Sequence, residues 1–143
     1  MALAYAQFHS FEEIESWQKA REVAREIYKI STMKAFDDCL LRNQLRNASI
    51  AIMGNIAKGF EREGDDFLRH LSKAKGLTGE VRTHLYIALD QGYISLESFK
   101  YVGGMLCDVS SLITGLMNYL YAIYSDVSKL NRVREQLGQT RLF

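Results

Sequence analysis

Proline is absent from all 143 residues. A proline inside a helix removes a backbone hydrogen bond and clashes with the preceding turn, so its absence suits long uninterrupted helices with few rigid turns. Cysteine is scarce. Cys39 and Cys107 stand far apart in apolar-rich helical stretches without C-x-x-C spacing. They are expected to be small buried hydrophobes in a reducing, cytoplasmic setting. An excess of charge of either sign is also missing: 18 basic residues face 17 acidic ones, a net of +1. The total charge therefore points to no polyanionic partner. The opening MALAYAQFHSF has no basic start and no long apolar run, from which no signal peptide is expected. The uncharged run from Val109 to Ser125 contains Ser110, Ser111, Thr114 and Asn118. It is slightly short for a bilayer span and reads as a bundle helix, with no membrane partner.

What is present is apolar periodicity. Hydrophobic residues make up 48% of the chain, enough for one domain with a sizeable core at this length. Ser10-Phe11-Glu12-Glu13 has the pattern of a capping box. Ile14, Trp17, Ala20, Ala24, Ile27 and Tyr28 then recur at three- and four-residue steps, predicting a helix to about Ser31. A second helix is expected from about Asp37 to Glu61, with Leu41, Leu45, Ala48, Ile52 and Ile56 on one stripe and Ile50, Met53, Ala57 and Phe60 on another. A third starts near Asp65 and Asp66, whose carboxylates favour a helix N-terminus. It carries Phe67, Leu71, Ala74, Thr78, Val81, Leu85 and Ala88, and stops at Gly92. Ser95 suits the N-cap of a fourth. There Val102, Leu106, Val109, Ile113, Leu116, Leu120 and Ile123 alternate by four and three, with Met105, Leu112 and Tyr119 on a second line.

These stripes predict an all-α, up-down-up-down antiparallel four-helix bundle over residues 1–125. Residues 126–143 read as a polar, basic C-terminal tail, loosely held or docked on a partner. Trp17, Ile56, Leu71 and Leu85 are expected in the core. The second stripes on the second and fourth helices exceed what one subunit needs, which predicts assembly with copies of itself. Gly54 and Gly59 each cost about 1 kcal/mol in a helix relative to alanine, so they should mark a close approach, a bend or an end. Asn55, if buried, needs hydrogen-bond partners. It reads as an amide tying the second helix to a neighbour, with a ligand contact as the alternative. Gly76 and Gly79 are expected to let the third helix pack closely.

Four segments carry a family resemblance: FEEIESWQKAREVAREIYKIS, QLRNASIAIMGNIAKGFERE, GEVRTHLYIALDQGYIS and the closing helix. In that order they resemble the four-helix-bundle family named for proteins encoded in 23S rRNA intervening sequences. Accessory variability determinants of diversity-generating retroelements are relatives. The resemblance covers about Phe11 to Tyr124, and its most specific parts are Trp17-Gln18-Lys19-Ala20, Asn55-Ile56-Ala57 with Gly59-Phe60, and Gly92-Tyr93-Ile94. It implies a homopentameric ring and no known catalytic activity. For the retroelement relatives it also implies binding to a reverse transcriptase and to its template RNA or DNA. The family's common pattern has proline where Met53 stands and glutamate where Lys58 stands, and its link between the second and third helices is one residue longer.

The sequence offers little to an enzyme. Glu-x-x-His, as needed for a di-iron bundle, is absent, because Ala6, Phe67 and Val81 precede the three histidines by three positions. Glu80 and His84 are one turn apart and could share a metal, but such a pair is more often a polar contact along one helix. G-x-S-x-G and the phosphate-binding P-loop are missing too. No cofactor, resident metal or catalytic residue is expected.

Charge is segregated along the chain. Residues 1–40 carry a net of −2, residues 41–82 a net of +3, residues 83–128 a net of −3 and residues 129–143 a net of +3. Arg42 with Arg46, Lys58 with Arg62, and Arg69 with Lys73 are one-turn pairs that project together. They are the candidates for phosphate contacts on RNA or DNA, salt-sensitive and weakly selective. The competing reading is a solvated surface with local ion pairs such as Arg62 with Asp66 or Arg69 with Asp65. Together the sequence and the resemblance predict a non-enzymatic cytoplasmic scaffold binding nucleic acid and a protein such as a reverse transcriptase. The alternative is a purely structural or protein-interaction bundle.

Overall fold

A computed structural model describes residues 8–138. A 3₁₀ turn at Phe11–Glu13 precedes four helices: α1 Glu15–Thr32, α2 Cys39–Arg62, α3 Gly64–Asp90 and α4 Leu96–Gln136. The described residues contain no strand. The opening seven residues and the apolar end at Leu142-Phe143 lie outside the described residues.

The predicted stripes become the inside of the bundle. Leu45, Ile52 and Ile56 of α2, the α3 stripe of Phe67, Leu71, Ala74, Val81, Leu85 and Ala88, and Val102, Leu106, Val109 and Ile113 of α4 are fully buried. Fully burying one Leu or Ile side chain contributes about 1.5–3 kcal/mol, so this shared core dominates the stability. Each helix packs on two others: α1 on α2 and α4, and α3 on α2 and α4. Lys75 crosses from α3 to α4, where its Nζ donates to Ser110 Oγ at 2.7 Å. Tyr124 Oη donates to the Gly64 carbonyl at 3.1 Å, tying α4 to the start of α3.

Apart from the α2–α3 turn, helix ends follow local chemistry with one exception. Asp38 caps α2 by accepting from the Leu41 amide at 2.9 Å. Ser95 caps α4 by accepting from the Ser98 amide at 3.1 Å. Gly92, at φ 74°, ends α3. Its N–H bonds Leu89 O, and the Tyr93 N–H bonds Ala88 O, the double closure of a Schellman turn. The exception is the capping box. Ser10 makes no side-chain cap, and α1 begins at Glu15 with Ile14 as N-cap. Glu13 does reach back, but to the His9 amide at 2.9 Å. The 3₁₀ turn uses up the residues that the box would have needed.

Other expectations need correction. Trp17 is only partly buried and lies edge-on to Phe11 at the margin of the core, with ring centroids 5.2 Å apart. Both cysteines are exposed. Cys39 is the first residue of α2, and Cys107 falls one position outside the buried seam that contains Leu106. A Cβ added at Gly76 or Gly79 would meet nothing within 4 Å, so neither glycine serves close packing inside the subunit. The fourth helix also runs past Ser125 to Gln136, with Val127 and Asn131 buried. No helix breaker interrupts 126–136, so the segment read as a tail continues the helix.

The α2–α3 turn is the tightest part of the chain. A single residue, Glu63, separates the two helices, at φ 63° and ψ 176°. That backbone region belongs essentially to glycine, and a side chain there costs about 1–3 kcal/mol. Four residues earlier Gly59 is buried, and a Cβ on it would stand 2.8 Å from His70 Cβ and 3.2 Å from the Phe67 carbonyl oxygen. Here the glycine expected to mark a close approach does so, whereas Gly54 has nothing within 4 Å.

Two substitutions should therefore act with opposite sign. Gly59→Ala is expected to lower stability by about 1–2 kcal/mol, overpacking outweighing the gain in helix propensity. Glu63→Gly is expected to raise it by about 1 kcal/mol, strain relief exceeding the added freedom of the unfolded chain. Urea midpoints at equal protein concentration decide the matter. A Gly59→Ala protein as stable as the parent would remove the close-approach account.

Candidate nucleic-acid interface

The six candidate cations fall into two groups. Arg42 and Arg46 lie at the start of α2, while Lys58 and Arg62 lie near its end. At 1.5 Å per residue, Arg42 and Lys58 are about 24 Å apart along the helix.

The first group is engaged inside the subunit. Arg42 Nε donates to Ser31 O at 2.7 Å, and its NH2 donates to Phe36 O. Arg46 Nε donates to Ser31 Oγ at 2.9 Å and its NH2 to Thr32 Oγ1 at 3.1 Å. Its guanidinium also lies 4.5 Å from the Tyr28 ring centroid. Both arginines are half-buried. They satisfy groups at the C-terminus of α1, where a helix presents unpaired carbonyls and partial negative charge.

The second group surrounds a residue that sequence reasoning passed over. His70 is 4% exposed on α3. Its surroundings settle its tautomer. Asn55 Nδ2 donates to Ala51 O at 2.8 Å, which leaves Asn55 Oδ1 as an acceptor. His70 Nδ1 lies 3.0 Å from that oxygen and therefore donates. Nε2 is then the lone pair, and it accepts from Arg62 NH1 at 3.3 Å. A chain of four groups thus runs from a helix carbonyl through an amide and an imidazole to a guanidinium. Asn55 is the inter-helix amide expected from the sequence, and His70 is its partner.

The neutral imidazole also fits its electrostatics. Burial holds the His70 pKa below its ordinary value of 6.5, and the positive charges of Lys73, Arg62, Arg69 and Lys58 push in the same direction. All four side chains are exposed. Arg69 pairs with Asp66 in place of the anticipated Asp65, and an exposed pair of this kind contributes only about 0–1 kcal/mol. Lys58, Arg62 and Lys73 form no ion pair among the described residues. The anticipated Arg62–Asp66 pair is replaced by the bond to His70. His70 was legible in principle: it sits three residues after Phe67 and four before Ala74, on a stripe that is otherwise buried.

Other chemistry is thin. Glu80 is exposed and His84 half-buried, and His84 Nδ1 has no hydrogen-bond partner among the described residues. No group of three or more His, Cys, Asp or Glu side chains suited to a metal occurs among the described residues. A hollow of about 540 Å³ lies between the start of α1 and the middle of α4. Its charged lining is Glu13 and Glu15, the wrong sign for a phosphate.

The sign of the pH dependence follows from His70. Its folded pKa is lowered, so the unfolded chain binds more protons between the two values. The stability contribution is complete above the unfolded value of 6.5 and is lost as the pH falls from there through the lowered folded value. Thermal unfolding followed from pH 8 to 5 is expected to show this loss. His70→Gln can donate to Asn55 and accept from Arg62 without titrating, and should flatten the profile over that range. An unchanged profile in the variant would assign the pH effect elsewhere.

A search of curated proteins finds no match to the chain. The model of the family described as 23S rRNA-intervening sequence protein matches residues 12–115, a span that takes in most of the 3₁₀ turn, α1, α2, α3 and the first half of α4. Those residues hold the Asn55–His70 tie, the tight α2–α3 turn and all six candidate cations, and the chain belongs to the 23S rRNA-intervening sequence protein family.

Proposed function

We propose that this chain is a non-enzymatic scaffold that assembles with copies of itself and presents the cations at the α2–α3 end to nucleic-acid phosphates. One observation carries the reading: Lys58, Arg62, Arg69 and Lys73 converge, all exposed, around a buried imidazole whose proton affinity their field lowers. Of the four, Arg69 is paired with Asp66, which leaves Lys58, Arg62 and Lys73 without an ion pair among the described residues and open to a polyanion. The family's name, which ties it to rRNA, supports the same class of ligand.

Assembly is supported by surface that one subunit leaves open. Ile50 of α2's second stripe is 45% exposed, and Ile87, Tyr101, Tyr121, Leu130 and Val133 are at least as open or nearly so. An up-down-up-down course is supported by the pairing of Lys75 with Ser110, Tyr86 with Phe99 and Gly64 with Tyr124. The resemblance extends the proposal to a homopentameric ring in the cytoplasm, not bound to a membrane, in which the basic surface repeats around an axis. It also names a reverse transcriptase as the class of protein partner, as in diversity-generating retroelements. By length and composition α4 could cross a bilayer, but its seam residues Val102, Leu106, Val109 and Ile113 are buried in the bundle. The second reading, a structural bundle without nucleic acid, is favoured by Arg42 and Arg46, whose hydrogen bonds are all internal.

Filter binding of duplex RNA across a salt series separates the two readings. Lys58→Gln with Lys73→Gln should reduce the slope of log affinity against log salt by about 0.9 for each lysine that meets a phosphate. Arg42→Gln should leave that slope unchanged and lower folding stability by about 1–3 kcal/mol, through carbonyls left unpaired. Absence of RNA retention at low salt would favour the structural reading. Sedimentation tests assembly: a well-behaved 16.4 kDa particle at working concentration would end the scaffold model.

A further inference from the structure

The α2–α3 end offers cations for phosphates but no fully exposed aromatic ring for a base: Phe60 and Tyr124 are half-buried and Phe67 is buried. A different part of the surface combines the two. Tyr86 of α3 and Phe99 of α4 meet edge to face, with ring centroids 4.8 Å apart and planes inclined by 63°. The contact leaves Tyr86 52% exposed. Beside the two rings lies a hollow of about 140 Å³, also lined by Leu85, Arg82, Lys100, Gly103 and the exposed Cys107. Cavities of about this size accept one six-membered ring.

Three features distinguish this hollow from an ordinary exposed tyrosine. First, both charged residues that line it are cations. Arg82 lies one turn before Tyr86, and Lys100 directly follows Phe99. Neither makes an ion pair among the described residues. Second, the nearest acids in sequence, Glu80, Asp90, Glu97 and Asp108, form no part of the lining. Third, Gly103 stands one turn after Phe99 inside a helix, where glycine is unfavourable. A Cβ there would meet nothing within 4 Å, so the missing side chain leaves the hollow open. Leu85, fully buried, closes off the side toward the core. An aromatic face flanked by unpaired cations is how proteins hold single-stranded nucleic acid, the ring stacking on a base and the cations meeting adjacent phosphates.

We propose that the hollow at Tyr86 and Phe99 is a stacking site for one unpaired base of a single-stranded nucleic acid, with Arg82 and Lys100 contacting the flanking phosphates. The proposal rests on the nucleic-acid reading for the class of ligand and adds a second site, on α3 and α4, with a preference for single strands.

The test is fluorescence anisotropy with a labelled short oligouridylate and with a duplex RNA of the same length, at low salt. Tyr86→Ala should weaken oligouridylate binding about fivefold or more, the loss expected when a stacking ring is removed. Tyr86→Phe should retain it. Gly103→Met gains helix propensity, so it should fold at least as well while filling the hollow, and should weaken oligouridylate binding to a similar degree. Arg82→Gln with Lys100→Gln should weaken it and reduce its salt dependence. Duplex binding, assigned to Lys58 and Lys73, should stay unchanged in all four proteins. If Tyr86→Ala and Gly103→Met both leave oligouridylate binding intact while duplex binding persists, the stacking site is wrong and the phosphate-binding reading survives. If the parent protein binds neither RNA, both fall. Should Gly103→Met instead lower the sedimenting mass with no change in oligouridylate binding, the hollow is a contact between copies and the proposal is overturned.

Discussion

The close approach of α2 and α3 at Gly59 is the constraint on which the rest of this subunit turns. With one residue between the helices, their ends have no freedom to splay. The missing side chain of Gly59 admits the backbone of Phe67 and the Cβ of His70. Once His70 is drawn in, its ring must be satisfied or pay a burial penalty of several hydrogen bonds' worth. Asn55 and Arg62 supply the two partners, each from α2. The strained Glu63 is the counterpart of this arrangement: a non-glycine residue held in a glycine conformation by the packing on either side.

That constraint also organises charge. Sequence order spreads Lys58, Arg62, Arg69 and Lys73 over two helices and a turn. Folding the turn tightly brings all four into the field of one imidazole. The grouping of these cations is therefore a property of the turn rather than of either helix, and the same turn also holds Glu61, Glu63, Asp65 and Asp66. Arg42 and Arg46 show the opposite outcome. They have the same residue type and spacing, but they lie where α1 ends, and the carbonyl and hydroxyl groups there claim their donors. Spacing alone does not separate a cation that faces solvent from one that caps a neighbouring helix.

The helices themselves were legible with little error. Every predicted α3 position from Phe67 to Ala88 is buried, with His70 the one buried residue outside the predicted stripe, because a buried amphipathic helix leaves a period that any fold must respect. Gly92 and Ser95 were legible as end signals because caps are local chemistry. The misses share a cause. The capping box at Ser10 yielded to a 3₁₀ turn, Trp17 moved to the margin, and the cysteines faced outward. Each depends on where a neighbouring element sits, which a linear pattern does not carry. The end of α4 departs from the sequence expectation for a related reason: polarity does not end a helix, and a polar segment without breakers continues to Gln136.

The sequence by itself determined four helices, their buried faces, most of their ends and membership in a family, since all of these are encoded in local period and residue identity. Tertiary structure alone decided which cations stay available, why one glycine of the second helix is needed, and that a tyrosine and a phenylalanine from different helices form one aromatic edge beside a hollow that Arg82 and Lys100 also line. Those outcomes depend on the distance between helices, and distance is set by how side chains fill the space between them rather than by the order in which they occur.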